Sequence, residues 1–530
     1  MAAQVRDVSP GAVRSQTFQH VVEQQADEQP HATFLLAPES GASVTYAELR
    51  RTTRRFGALL RTLRVPEQGI VAFMLPNGLS AATVFIGAMA AGRIVSPINL
   101  LAQDALLEYT LAHSSPHAIF VAPEFFDRLS ALVARTGLSP AVVSTDPDQL
   151  VLPDDEADAI DSVQGKSPAM LMYTSGTTGK PKGVLLSHAN MLHAGRTVSA
   201  AHLLTPDDRV LSSLPLYHIN GQCIGVVSPL VSGGSIVLPH RFSVSQWWAL
   251  VERYRPTWLN VVPTIIAYLL NGPAPTPTQA KAIRGVRFAR SASAPLPPEQ
   301  HRAFEERFGI TVIEAMGLTE CASVAFSNPL DPARRTIGSP GHAIGMQARV
   351  VAPDGRVLAT GECGEIQLRG DNVMIGYYRA PDATAQAVDR DGWLSTGDLG
   401  YRDGEGHYFI TGRLKELIIK GGENIAPREI DEALLAHPAV LEGAAVGVPD
   451  PVYGQEILAC VVLKPGEACT EATLREHCER ILGRYKTPRY VRFVAELPKG
   501  PSGKVQRLKL AESAAADPVS EQHGMRDARR

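Results

Sequence analysis

Short apolar runs set among amphipathic stretches are the feature that most limits what this chain can fold into. Ile70 to Leu75, Ala118 to Val121, Met170 to Tyr173, Ser235 to Leu238 and Thr257 to Val262 each have the length of a buried strand. Between them lie amphipathic segments, with helical spacing clearest over Thr45 to Leu63, and this alternation predicts α/β layering with substantial parallel sheet. From Ala348 the texture changes to short strands with Asp-Gly turns at Asp354, Asp391 and Asp403, as in a β-rich subdomain. A strand over Tyr408 to Thr411 runs into GRLKE near Gly412, and a compact tail with helices near Glu429 and Thr473 follows.

The chain is 530 residues long, too long for one ordinary core, so a large fused body and at least one further domain are expected. A net charge of −3 gives no global reason to expect nucleic acid or an anionic membrane surface as a partner, so any anion site must be local. The six cysteines form no CxxC pair and no zinc-spaced cluster. The N-terminus lacks the apolar core of a signal peptide, and the most apolar stretch, Ala81 to Ala91, is far too short to span a bilayer. The expectation is a cytoplasmic protein with reduced thiols.

The strongest local signal is YTSGTTGKPKGV at Tyr173 to Val184, directly after an expected buried strand. Glycines and hydroxyls there allow a tight loop that turns N–H and O–H groups toward phosphate oxygens, with Lys180 and Lys182 as nearby cations. Two residues between the glycines of GTTGK, where a Walker loop has four, exclude the Walker class. This run resembles the phosphate-binding signature of the adenylate-forming superfamily. Six further segments follow in that family's order: PLYHING (Pro215 to Gly221), SASAPL (Ser291 to Leu296), EAMGLTE (Glu314 to Glu320), STGDLG (Ser395 to Gly400), GRLKELIIKGGENIAP (Gly412 to Pro427) and PSGKVQR (Pro501 to Arg507).

The resemblance covers nearly the whole chain and implies an AMP-forming acyl-CoA ligase. Such an enzyme joins a carboxylic acid to the α-phosphate of ATP as an acyl-adenylate, releases diphosphate, and passes the acyl group to coenzyme A. It implies an α/β fold with a large N-terminal domain of fused α/β subdomains plus a β-rich subdomain at 1–411, a hinge at 412–415, and a small mobile α+β C-terminal domain at 416–514. A polar tail, 515–530, is expected to be frayed. By resemblance, Thr174, Ser175, Gly176, Thr177, Thr178, Gly179, Lys180 and Lys182 surround the ATP phosphates, while Ser293, Ala294, Glu314, Ala315, Met316 and Thr319 line the nucleotide site. Glu320, with the Thr178 hydroxyl, holds Mg²⁺. Lys504 bridges the carboxylate and α-phosphate. Asp398 accepts from the ribose hydroxyls, and Arg413 donates from the other side. Met316 stands where an aromatic ring often stacks on adenine, and its thioether can still cover a ring face. Lys415 marks the hinge, about which a rotation exchanges adenylation for thioester formation. Gly421 and Gly422 line the pantetheine tunnel, and His218 gates between that tunnel and the acyl pocket.

The acyl pocket is expected from His218, Asn220, Arg290, Ser291 and Ser323. Those polar groups suit a small polar or anionic acid, since burying them unpaired against an alkyl chain is costly. The surrounding segments are similar to oxalate-type CoA ligases. Ser323 stands where those offer a histidine, which brings in sulfonated or dicarboxylic acids such as sulfoacetate or malonate. Arg290 has a competing reading as a surface salt-bridge partner. Competing functions are a stand-alone adenylation enzyme that loads a carrier protein and a catalytically silent nucleotide-binding regulator; intact Lys504, Glu320, Asp398 and Arg413 argue against the second. No membrane or nucleic-acid partner is expected, and the assembly is expected to be a monomer or homodimer.

Overall fold

The structure, a computed structural model, describes residues 16–158, 163–174, 181–499 and 505–516. The chain divides into two compact units. The first comprises Met1–Leu296, Gln300–Ala348 and Leu368–Leu394; the second comprises Pro297–Glu299, Arg349–Gln367 and Ser395–Arg530.

Two large sheets carry the first unit, and both have the parallel interior that the apolar runs predict. In the nine-stranded sheet, Thr311–Met316, Phe288–Ser291, Trp258–Val261, Arg209–Ser212, Ser235–Val237 and Thr33–Leu36 run parallel in that spatial order, with antiparallel additions at both ends. The seven-stranded sheet places Ile94–Pro97, Ile70–Met74, Ala118–Val121 and Ala141–Ser144 in parallel. At its other end Pro168–Thr174 and Lys182–Ser187 form an antiparallel hairpin, whose far strand is joined by the short strand Gly376–Tyr377. Helix Tyr46–Thr62 starts at a capping box in which the Thr45 side chain and Glu48 satisfy each other's backbone N–H. Ser187 does the same with Asn190, so the chain turns from the hairpin strand straight into helix His188–Ala201. The apolar stretch noted in the sequence is helix Leu79–Ala90. It is apolar all round because eleven of its residues are buried. Among the described residues no helix is long and apolar enough to cross a membrane.

The second unit has a four-stranded sheet of Gln347–Val351, Gly364–Arg369, Leu394–Arg402 and Tyr408–Arg413, and a five-stranded sheet built on Val440–Asp450 and Gly454–Leu463. Of the three Asp-Gly turns, Gly355 and Gly392 take positive φ. At Asp403 the left-handed residue is Gly406, because the Asp403 carboxylate accepts from the N–H groups of both Glu405 and His407 and widens the turn. Helix Arg507–Ala516 ends the described chain, two residues past the point where the sequence suggested the tail begins. Arg507, the last residue of PSGKVQR, anchors it. Its guanidinium pairs with Asp431 on helix Pro427–Leu435, donates to the Ala445 carbonyl at 2.7 Å and lies 3.3 Å from Glu416.

Asp431 would be left as a mostly buried, unpaired carboxylate in Arg507→Ala. That substitution is expected to destabilise the second unit by about 3 kcal/mol. Denaturant unfolding followed by a probe in this unit should show the drop, and an unchanged midpoint would refute the anchor.

Candidate active site

The phosphate-loop signature begins and ends on the antiparallel hairpin, with Thr174 paired to Lys182 across it. Ser175, Gly176, Thr177, Thr178, Gly179 and Lys180 lie outside the described residues, as does Lys504. Lys182 sits on the far strand with its Nζ 4.6 Å from the ring centroid of Tyr377. The Tyr377 hydroxyl donates to Glu320 Oε1 at 2.9 Å. Burial, followed by the Glu320 carboxylate, pushes the Tyr377 phenol well above its ordinary pKa, so it remains a donor. The hairpin cation and the TE-motif carboxylate are thus joined through one side chain that the motifs do not contain.

Glu320 lies in the 3₁₀ turn Thr319–Cys321, just after strand Thr311–Met316. Ala322 and Ser323, which follow it, both adopt left-handed backbone at φ 52° and 70°, an uncommon pair for residues with a Cβ. Two groups hold this shape. Asn372, 1% exposed, donates through Nδ2 to the carbonyls of Cys321 at 2.8 Å and Val324 at 2.7 Å. Gly317 passes so close beneath the turn that a Cβ there would lie 2.1 Å from the Ser323 carbonyl oxygen. Of the residues before the turn, Glu314 is buried with its carboxylate taken up by Gly338 N–H at 3.1 Å and His301 at 3.6 Å. Its side chain is therefore committed within the protein. Ala315 is buried, whereas Met316 and Thr319 are half-buried.

The acyl-pocket candidates gather around a π-helical segment, Asn220–Val227, a form recurrent at functional sites. Asn77 shapes the loop entering it, donating to the Leu214 carbonyl at 3.1 Å and accepting from Leu216 N–H at 2.9 Å. His218 Nδ1 accepts from Asn220 N–H at 3.4 Å. Asn220, 1% exposed, donates to Ser293 Oγ at 3.0 Å, and its Oδ1 is 3.5 Å from Arg290 Nη1. Ser212, Asn260 and Arg290 occupy one register row across three parallel strands, and all three are buried. Arg290 is 1% exposed, with no carboxylate within ion-pair distance among the described residues and no partner for its Nε. Burial pulls its pKa down to about 10, which still leaves it a cation at neutral pH. The surface salt-bridge reading of Arg290 is therefore wrong: the side chain is inside, and its strand is central in the sheet. Among the described residues, the Ser291 and Ser213 hydroxyls, Gln222 Oε1 and Asn260 Oδ1 are also buried without hydrogen-bond partners.

Residues 22–378 match the model of the AMP-binding enzyme family, and residues 429–504 match that of the AMP-binding enzyme C-terminal domain. The chain belongs to the AMP-binding enzyme family. It is 54% identical over 503 residues to a sulfoacetate–CoA ligase of Cupriavidus necator, covering 94% of this chain and 98% of that one. An oxalate–CoA ligase of Saccharomyces cerevisiae is 32% identical, with 91% and 94% covered. Among solved structures, ATP-bound MatB from Rhodopseudomonas palustris superposes with a TM-score of 0.86 at 31% identity, over 94% of this chain and 99% of that one. This AMP-binding enzyme is accordingly an AMP-forming acid–CoA ligase of the adenylate-forming superfamily.

In the second unit of this ligase, Asp398 and Arg413 face each other in register on adjacent antiparallel strands. Arg413 Nε donates to Asp398 Oδ1 at 2.7 Å, while Asp398 Oδ2 is buried and accepts no hydrogen bond. The turn that presents it is fixed by Thr396, whose Oγ1 donates to the Ile366 carbonyl and accepts from Asp398 N–H, and by Glu365, which accepts from Gly397 N–H. Lys415 lies exposed in the 3₁₀ turn Leu414–Glu416. Gly421 and Gly422, at φ 55° and 85°, form the exposed two-residue turn of the hairpin Ile418–Lys420 to Glu423–Ile425, a conformation that favours glycine. Lys420, beside them, is buried by an ion pair with Glu456 at 2.6 Å and a hydrogen bond to the Tyr485 carbonyl at 3.0 Å. Sequence reasoning missed Tyr377, Asn372, Asn77 and Asn260. Each acts through a partner remote in the chain, and only the GY of Gly376–Tyr377 and the buried run before Asn260 gave any local hint.

Gly317→Ala should lower stability by about 1–3 kcal/mol through overpacking against the Ser323 carbonyl. Thermal unfolding with and without ATP should show loss of ATP-dependent stabilisation beyond the basal shift; a variant indistinguishable from wild type would refute the close approach.

Proposed function

We propose that the acid activated here is small and carries a second anionic group close to the reacting carboxylate, with sulfoacetate first and oxalate or malonate next. The observation that carries this reading is Arg290: a fully buried guanidinium that, among the described residues, makes one long contact, to Asn220, and has no anion of its own. A buried charge is stable only when paired, and an acid with a distal sulfonate or carboxylate supplies that pair. A sulfonate offers three acceptor oxygens and stays ionised, which matches the guanidinium donors. The 54% identity to a sulfoacetate–CoA ligase favours the same acid. An amino acid fits less well, because an ammonium beside Arg290 adds a second buried cation.

In the first half-reaction a carboxylate oxygen of the acid bonds to the α-phosphorus of ATP as the bond to diphosphate breaks. The reaction brings anions together, so fixed cations on the developing charge lower the barrier. Lys182 serves the phosphates from the hairpin, together with the loop residues Ser175 to Lys180, and Lys504 serves the carboxylate and α-phosphate. Asp398 Oδ2 accepts from a ribose hydroxyl, with Arg413 holding the carboxylate in orientation through Oδ1. Glu320 and Thr178 hold Mg²⁺. One Glu320 oxygen accepts from Tyr377, which leaves the carboxylate able to hold a cation that takes one or two carboxylates and otherwise phosphate oxygens and water. When bound, that ion neutralises charge on the leaving diphosphate. In the second half-reaction the CoA thiol sulfur bonds to the acyl carbon, its proton is lost, and AMP leaves. His218, whose Nδ1 accepts from Asn220 N–H, is assigned to gate between the acyl pocket and the thiol's path. We assign residues 412–415 as the hinge, with Lys415 at its centre, and the Gly421–Gly422 turn to the pantetheine path. We place the enzyme in the cytoplasm as a monomer or homodimer; all six cysteines are free.

Diphosphate release should be measured with ATP, Mg²⁺ and CoA over sulfoacetate, oxalate, malonate, acetate, benzoate and octanoate. A distal-anion acid should dominate and require CoA for turnover; preference for acetate, benzoate or octanoate would refute the pocket reading and leave the ligase class intact. In Arg290→Met, kcat/KM for the preferred acid should fall about a hundredfold or more, as for losing one partner of a buried charge pair, with acetate affected far less. Lys504→Ala should abolish adenylate formation while still forming thioester from a supplied acyl-adenylate, and equal loss of both steps would contradict its assignment.

A further inference from the structure

Lys182 and Glu320 carry opposite charges, and both contact Tyr377 without making an ion pair with each other. The ammonium lies over the ring face and the carboxylate accepts from the hydroxyl, so one side chain engages both charged groups at different points. The backbone around Tyr377 is anchored on both sides. Met374 N–H donates to the Glu320 carbonyl at 2.8 Å; on the hairpin side, Ile375 N–H donates to the Leu185 carbonyl at 2.9 Å and Tyr378 N–H to the Gly183 carbonyl at 2.7 Å. Tyr377's own N–H donates to Thr384 Oγ1 at 2.8 Å, which ties the segment to helix Pro381–Ala387. A residue fixed this firmly between two charged groups sets their spacing.

We propose that Tyr377 is a positioning residue that prevents Lys182 and Glu320 from neutralising each other. Two opposite charges within direct contact would form a partly buried ion pair, and a triphosphate with its cation would have to break that pair before binding. On the Tyr377 ring the ammonium is held weakly enough for a phosphate to capture it. The hydroxyl meanwhile fixes one Glu320 oxygen and leaves the other for the cation. This role rests on the assignment of ATP phosphates to the hairpin and Mg²⁺ to Glu320, and it adds a requirement that neither motif states.

The test is calorimetric binding of MgATP, ATP in excess chelator, and AMP to the full chain, with no turnover needed. Tyr377→Phe keeps the ring under Lys182 and removes the hydroxyl, so MgATP should bind about tenfold more weakly while chelated ATP and AMP change by less than about twofold. Tyr377→Leu removes the ring as well and lets Lys182 close on Glu320, so chelated ATP should weaken too. Adding Glu320→Gln to Tyr377→Leu should restore chelated ATP binding, a coupling that general structural damage would not produce. AMP, which lacks the β- and γ-phosphates, reports whether the fold and nucleoside site are intact. Equal weakening of AMP and MgATP, or MgATP affinity unchanged in both single variants, would overturn the proposal. A wild-type chain that binds no ATP would remove the nucleotide assignment along with it, whereas a wild type that binds MgATP beside unaffected variants would remove only the spacer role.

Discussion

Burying a guanidinium without an anion is among the costliest things a protein can do, and among the described residues Arg290 is held that way in the middle of a nine-stranded sheet. Its strand is parallel to both neighbours, its row contains Ser212 and Asn260, and the π-helical segment supplies Asn220 as its one contact. Burial lowers its proton affinity but leaves it charged at neutral pH. His202, which is buried close enough to be influenced by it, has its pKa lowered to about 3 by burial and adds no second charge. Arg290 is thus a buried cation set, among the described residues, beside the amide of Asn220 and in one strand row with Ser212 and Asn260. Such a site is poor for an alkyl chain and good for a compact acid with two anionic ends.

Around that cation the first unit fixes its chemistry with short-range devices. A hairpin carries Lys182, a turn with two left-handed residues presents Glu320, and a buried asparagine holds each of two loops: Asn372 for the turn and Asn77 for the segment before His218. The second unit prepares Asp398 differently. Strand register puts Arg413 opposite it, so one carboxylate oxygen is fixed and the other has no donor among the described residues. In each case backbone geometry determines which lone pairs and charges remain available, and that preorganisation is where transition-state stabilisation arises.

Much of this was legible in the sequence because the motifs are contiguous. YTSGTTGKPKGV, EAMGLTE and STGDLG named Lys182, Glu320 and Asp398 directly, and the apolar runs marked the parallel strands. Partners brought together by the fold were not legible. Tyr377 lies 57 residues from Glu320, and Asn372 lies 51 from Cys321, so neither announces its partner. PLYHINGQCIGVV has no pattern that distinguishes a π-helical segment from an ordinary helix. For Arg290 the sequence left burial and surface pairing open, since a strand of four residues reads the same in the centre of a sheet as at its edge; topology decided it.

The most direct measurement is a crystal structure of this enzyme with a bound sulfoacetyl-adenylate or a stable analogue of it. On this account the sulfonate oxygens lie about 3 Å from the Arg290 guanidinium nitrogens. A sulfonate directed elsewhere, with Arg290 still contacting only Asn220, would contradict the claim that this buried cation selects the acid.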